Sequence, residues 1–207
     1  SGTNASLSFC DFSKSIITSS LNLKYKPGKM LLKGKYIYVT HPEANVVSVI
    51  DHITKTEVTE IPTLNHPSDL IIDALNDVWI DCPGAGLTKI KHLSWQNQLI
   101  SEDFPLSNAS SDVPCRIGLA PSGAYVYYFD NGLKRHFISN NQLPDNKFIA
   151  NEEPNLFGGF NIDYNSGNVY YIQKGAASDK LMIYQSNGNL LTELNVGSGS
   201  IQTLSAY

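Results

Sequence analysis

The chain has 207 residues, 42% of them hydrophobic and 10% aromatic, which is enough apolar material for one domain with its own core. Charged residues make up 16%, below the roughly 25% usual for soluble domains, and 15 Lys plus Arg stand against 19 Asp plus Glu, a net charge of −4. With no basic run to neutralise phosphates or anionic lipids, and no stretch near the roughly 18 apolar residues of a spanning helix, the composition argues against nucleic-acid binding, docking on acidic membranes and a membrane-spanning segment.

Residues 6–21, SLSFCDFSKSIITSSL, read as two alternating strands around an acidic turn at Asp11. A chain that opens inside a strand, without a basic and apolar leader, is expected of a mature or trimmed product. From Pro27 onward a pattern recurs. KPGKMLLKGKYIYVT carries Pro27, HPSDLIIDALNDVWID Pro67, VPCRIGLAPSGAYVYYFD Pro114 and EPNLFGGFNIDYNSGNVYYIQ Pro154, with spacings of 40, 47 and 40 residues between successive prolines. A proline suits each of these starts, where the chain leaves one strand for the next and no ladder donor is needed.

Within each unit four strands, a to d, are expected in chain order. In the first they fall near residues 28–32, 35–40, 46–51 and 56–61, and in the fourth near 158–163, 168–173, 180–185 and 189–196. Turn chemistry separates them at Lys33-Gly34, Leu75-Asn76-Asp77, Pro121-Ser122-Gly123, Asn165-Ser166-Gly167 and Ser186-Asn187-Gly188. Helical periodicity is nearly absent. Four antiparallel strands every forty or so residues predict an all-β chain of β-propeller blades, about five in number or a segment of a seven-bladed ring. The units are expected near 27–66, 67–113, 114–153 and 154–197. Residues 1–26 and 198–207 would share a closing blade, the first supplying strands c and d, with Asp11 matching Asp51, and SGSIQTLSAY supplying strand a.

YIYVTHPEANVVSVIDHITKTEV and KLMIYQSNGNLLTELNVG resemble the YVTN family of β-propeller repeats, sharply so over residues 36–61. That resemblance implies a bacterial or archaeal surface or periplasmic propeller, lipid-anchored in some relatives. In some of these the propeller serves beside nutrient transporters and captures corrinoids. The low charge and the abundance of Tyr, Ser, Asn and Gly likewise suit an extracytoplasmic protein.

In such an architecture the a strands line a channel, while the b-to-c and d-to-a connections gather on one face and carry recognition. The candidate ligand-binding residues are therefore His41, Glu43, Asn45, His66, Arg116, Asn155, Phe157 and Lys174: aromatic faces to stack on, amides and charges to hold a polar small molecule or a glycan. Asp69, Arg116 and Asn161 on the a strands are too few and too mixed for an ion cage, so no metal, cofactor or catalytic residue is expected. His41, Glu43 and His66 are read first as turn residues beside prolines, and Arg116 first as a partner in an ion pair. No G-x-S-x-G elbow occurs, and GAG at 84–86 and GSG at 197–199 lack the strand-to-helix setting of a phosphate cradle.

Cys10, Cys82 and Cys115 have no zinc spacing and are expected as buried thiols, a Cys82–Cys115 bridge being an option only. Trp79 is expected between blades and Trp95 near a c-to-d turn. Asn4 and Asn108 head glycosylation sequons that matter only in a eukaryotic secretory host. Three functions follow: a non-enzymatic binding scaffold for a small molecule, a glycan or a surface or transport protein; a metal-dependent propeller hydrolase of lactonase type; or an interaction module of a larger surface protein.

Overall fold

A computed structural model describes residues 5–83, 85–93, 98–106, 117–149 and 157–197, and among these every regular element is a strand. Strand β1 (Ser6–Asp11) pairs with β2 (Ile16–Asn22) as a hairpin. A four-stranded sheet follows in chain order: β3 (Met30–Lys33), β4 (Tyr36–His41), β5 (Val46–Asp51) and β6 (Thr56–Pro62). The next sheet holds β7 (Asp69–Ile72), β8 (Val78–Cys82), β9 (Gly86–Leu93) and β10 (Gln98–Pro105). Then come three strands, β11 (Gly118–Leu119), β12 (Tyr125–Phe129) and β13 (Leu133–Phe137), and a last sheet of four, β14 (Phe157–Ile162), β15 (Val169–Gln173), β16 (Asp179–Tyr184) and β17 (Leu190–Gly197). Chain neighbours pair antiparallel throughout. In the first and fourth units each strand begins and ends within two residues of its expected bounds.

The strands turn where the turn residues predict. Gly34, Asn76, Gly123, Gly167 and Gly188 all take positive φ, between 55° and 89°, the conformation that closes a short antiparallel connection. The parallel between Asp11 and Asp51 is chemical as well. Asp11 Oδ1 accepts from Ser13 N at 3.0 Å, and Asp51 Oδ1 from Ile53 N at 2.8 Å and Thr54 N at 3.1 Å. Each turn then passes through a left-handed residue, Ser15 or Lys55.

The third unit departs from the expected four strands: among the described residues it has three. After β13 the sequence SNNQLPDN is rich in residues that favour turns, and Pro144 has no donor for a ladder, so residues 139–148 fold as turns and bends. Phe148 N donates to Leu133 O at 2.7 Å beside β13. The proposed closing strand in 198–207, Trp95, Cys115 and the sequons at Asn4 and Asn108 lie outside the described residues.

Successive sheets stack face to face. Leu7, Phe9 and Leu21 of the hairpin meet Val39 and Ile50. Tyr38, Val47 and Val49 meet Leu70, Val78 and Ile80. Trp79 and Phe104 meet Val126 and Tyr128, and Tyr127, Phe129 and Leu133 meet Phe160, Tyr171 and Met182. β8, with a sheet on either side, is covered on both faces, which is why it is buried at all five positions. Trp79 sits between sheets as expected. Cys82 is buried, its thiol pushed up to about 12 by desolvation, whereas Cys10 is exposed because it lies on the uncovered side of the hairpin, a correction to the expectation of buried thiols.

The first strands of the sheets are neighbours: β3 lies beside β7, β7 beside β11, and β11 beside β14. Gly118 allows the last approach. A methyl group there would stand 2.9 Å from Phe160 Cε2 and 3.2 Å from Ile162 Cγ1, and Phe160, itself buried, has little room to retreat. Gly118→Ala is expected to destabilise by about 1–3 kcal/mol through overpacking, read as a lower urea midpoint with an unchanged slope.

Candidate functional site

The connections gather on one face through backbone bonds. Thr63 N, leaving β6, donates to Asn45 O at 3.0 Å, and Leu106 N, leaving β10, donates to Ala85 O at 2.9 Å. In these two sheets the outer strand therefore ends against the turn between the two middle strands.

On the first sheet this face brings Asn45 and His66 together. Asn45, at φ 57°, accepts from His66 N through its side-chain Oδ1 at 2.7 Å, and His66 itself sits at φ 61° with an exposed ring. Asn45 is thereby committed to holding the connection between sheets. His41 does not join them: it is fully buried, with Nδ1 3.2 Å from Lys26 O and Nε2 2.9 Å from Ser48 Oγ. A carbonyl can only accept, so Nδ1 carries the proton and Nε2 accepts from Ser48. Burial holds the ring below the usual histidine range, and Tyr25 packs against its edge at 5.6 Å. Glu43 is exposed, with only a loose ion pair to Lys26 at 3.7 Å.

Of the remaining sequence-derived candidates, Phe157 stacks on Phe129 at 3.8 Å inside the core, and Lys174 is exposed in the connection between β15 and β16. Arg116 and Asn155 lie outside the described residues. Asp69 and Asn161 each accept from the following backbone N–H at 2.9 and 2.8 Å.

A polar cleft lies further along the same face, between the second and third sheets. A cleft of about 230 Å³ is bounded by Asp103 and Phe104 at the end of β10, by Asp130 and Lys134 around the turn between β12 and β13, and by Gln142 and Asp145 of the turn-rich segment that replaces a fourth strand. The Lys134 ammonium bonds Asp130 Oδ2 at 2.7 Å, and both side chains are less than one-sixth exposed. Asp103 accepts from Thr88 Oγ1 at 2.7 Å, and Thr88 Oγ1 in turn accepts from Leu64 N at 3.1 Å. The wall is thus polar, held in place by the scaffold and negative in balance, with the buried ring of Phe104 behind it. Such a surface matches hydroxyl-rich or cationic ligands by hydrogen bonds and charge. Sequence reasoning missed this site. Its readable signal was the Pro144-containing run in place of a strand.

No protein-family model matches the chain, and no curated protein does. Solved structures do. Hydrazine synthase of Kuenenia stuttgartiensis superposes with a TM-score of 0.66 at 15% identity, over 93% of this chain and 60% of that one. Hsv2 of Kluyveromyces lactis gives 0.62 at 15%, over 96% and 60%, and Hsv2 of Kluyveromyces marxianus gives 0.58 at 13%, over 95% and 61%. These neighbours are β-propellers. The fold is a β-propeller. At such identities the likeness is one of fold alone, and the chain spans about 60% of the neighbours' length. The stacked sheets are its blades, with β3, β7, β11 and β14 innermost, and the cleft lies on the connection face between two blades.

Proposed function

We propose that this propeller is a non-enzymatic recognition scaffold of YVTN type, working outside the cytoplasm, which holds a polar small molecule or glycan in the connection-face cleft. The observation that carries this reading is the largely buried Asp130–Lys134 pair lining the inter-blade cleft. The low charge and the repeat sharp over residues 36–61 support the placement among surface and periplasmic propellers.

Titration calorimetry with neutral disaccharides and with short diamines tests the reading. At least one probe class is expected to bind. Lys134→Met leaves Asp130 enclosed without its cation, and Asp130→Asn leaves Lys134 without its anion. Each is expected to weaken binding about tenfold or more, while Glu43→Gln, at an exposed and loosely paired site, leaves it unchanged. Absence of binding across both classes, or equal affinity in all three variants, would refute it.

A further inference from the structure

Antiparallel pairing puts the turns from β3 to β4 and from β5 to β6, and their counterparts in the other sheets, at the end of each blade away from the connection face. These turns form one surface. Lys55 Nζ donates to Thr18 Oγ1 of the hairpin at 3.4 Å, and Ala74 N donates to Gly123 O at 3.1 Å between the second and third blades. Between the third and fourth, a methyl group on Gly167 would stand 3.6 Å from Pro121 Cδ. Four described turns on this surface are built alike. An Asp carboxylate folds each turn onto itself: Asp11 and Asp51 as described above, Asp73 Oδ1 by accepting from Leu75 N at 2.8 Å, and Asp163 Oδ1 by accepting from Asn165 N at 2.8 Å. One or two positions later comes a large apolar or aromatic side chain that points to water. Phe12 is 93% exposed, Ile53 68%, Leu75 59% and Tyr164 75%.

The turns do not require these side chains, because a carboxylate closes such a turn on backbone N–H groups whatever follows it. A single exposed apolar residue is ordinary, but four at matching turns of one face mark a surface that meets a partner. Shape favours lipid over protein. A protein interface packs one contiguous apolar core, whereas these tips stand on separate turns with Ser13, Thr54, Asn76 and Asn165 exposed among them. A bilayer's headgroup layer is soft, so each tip sinks independently, and aromatic rings suit that depth. Charge narrows the choice of lipid. On the turn face Lys14 pairs with Asp11 at 3.6 Å and Lys35 with Asp51 at 3.4 Å, while Asp77 is held by Lys89 at 3.3 Å and Asp73 by Trp79 Nε1 at 2.8 Å. The far face differs, since Asp103, Asp130 and Asp145 share the cleft with the single cation of Lys134. A face of balanced charge matches a surface that itself carries paired phosphate and ammonium groups.

We propose that the turn face seats the propeller on a zwitterionic lipid surface, with Phe12, Ile53, Leu75 and Tyr164 sunk among the headgroups and the connection-face cleft turned away from the bilayer. The inference stands whether or not the cleft binds a ligand.

Sedimentation of the full chain with phosphatidylcholine vesicles, with no cleft ligand present, tests the seat. Partitioning onto the vesicles is expected, with little change between about 0.1 M and about 0.5 M salt. Phe12→Ser, Ile53→Ser and Tyr164→Ser are each expected to weaken it about threefold or more, and the triple variant about thirtyfold. Val58→Ser removes an apolar side chain 52% exposed on the outer strand β6, off this face, and is expected to leave partitioning unchanged. A second readout does not depend on loss of binding: the fluorescence of Phe12→Trp is expected to be quenched by brominated phosphatidylcholine well beyond that of the wild type. No partitioning, equal partitioning of the triple variant, or binding confined to anionic vesicles and lost in high salt overturns the proposal. So does a wild type that self-associates in analytical ultracentrifugation through the same three side chains without binding vesicles, the face then being an interface between copies of this chain.

Discussion

Trp79→Ala is expected to lower the unfolding free energy by about 3–5 kcal/mol, the range for truncating a wholly buried large aromatic, and the melting temperature by on the order of 10 °C. The indole is fully buried between the second and third blades and packs 5.2 Å from Phe104. It also lies 4.8 Å beneath the Lys89 ammonium and donates to Asp73 Oδ2 at 2.8 Å. Alanine removes all of this and leaves a cavity behind the cleft wall. Trp79→Phe separates the parts. It keeps most of the apolar volume but removes the donor to Asp73, which is buried and holds Leu75 N and Asp77 N through its other oxygen. The expected cost is about 1–3 kcal/mol, less than that of alanine. Chemical denaturation of both variants checks the ranking, and a near-neutral Trp79→Ala would mean that the inter-blade cluster does not hold these two sheets together.

Stability is expected to fall as the pH drops from about 6.5 to about 4, by about 3 kcal/mol from His136 alone. Burial, with Lys89 nearby, pushes the His136 pKa from 6.5 down to about 4. Above pH 6.5 the ring is neutral in both folded and unfolded chains, so it contributes no pH dependence. Between 6.5 and about 4 the unfolded chain binds the proton and the folded chain does not, so unfolding gains as pH falls. Below about 4 both forms are protonated and the effect levels off. His41, also shifted down by burial, adds in the same direction, whereas Glu57, raised by burial and by Glu60, opposes it at the acid end of the window. Urea denaturation across this range should show the slope in the wild type and a shallower one in His136→Gln. An unchanged slope would place the acid sensitivity elsewhere.

The inter-blade place of Trp79 was legible in the sequence, whereas the sealed setting of His136 was not. The blade repeat was legible because turn chemistry is local: Gly34, Gly123, Gly167 and Gly188 take the left-handed conformation their sequence context calls for, and Asp11 and Asp51 make the same turn from matching sequence. Alternation and proline spacing then sufficed to place the innermost strands. Among the described residues the third unit has three strands where the spacing to Pro154 suggested four, and the Asn, Pro and Asp content of 140–146 argues locally for turns.

Contacts between rim residues were legible only where the backbone alone settles them. Asn45 and His66 meet because both occupy left-handed turn positions on the same face. His41, chosen as a rim residue because it heads the b-to-c connection, proved to be an interior pin between Lys26 and Ser48, and Phe157 proved to be core.

By itself, then, the sequence determined the antiparallel strands, their turns and their forty-residue repetition, since each depends on residues a few positions apart. Which histidine is sealed from water, and which carboxylates share a cleft, was decided by the stacking of blades. That stacking covers both faces of the middle strands between neighbouring blades and joins β10, the turn between β12 and β13, and residues 141–145 into one surface, a proximity no local pattern encodes.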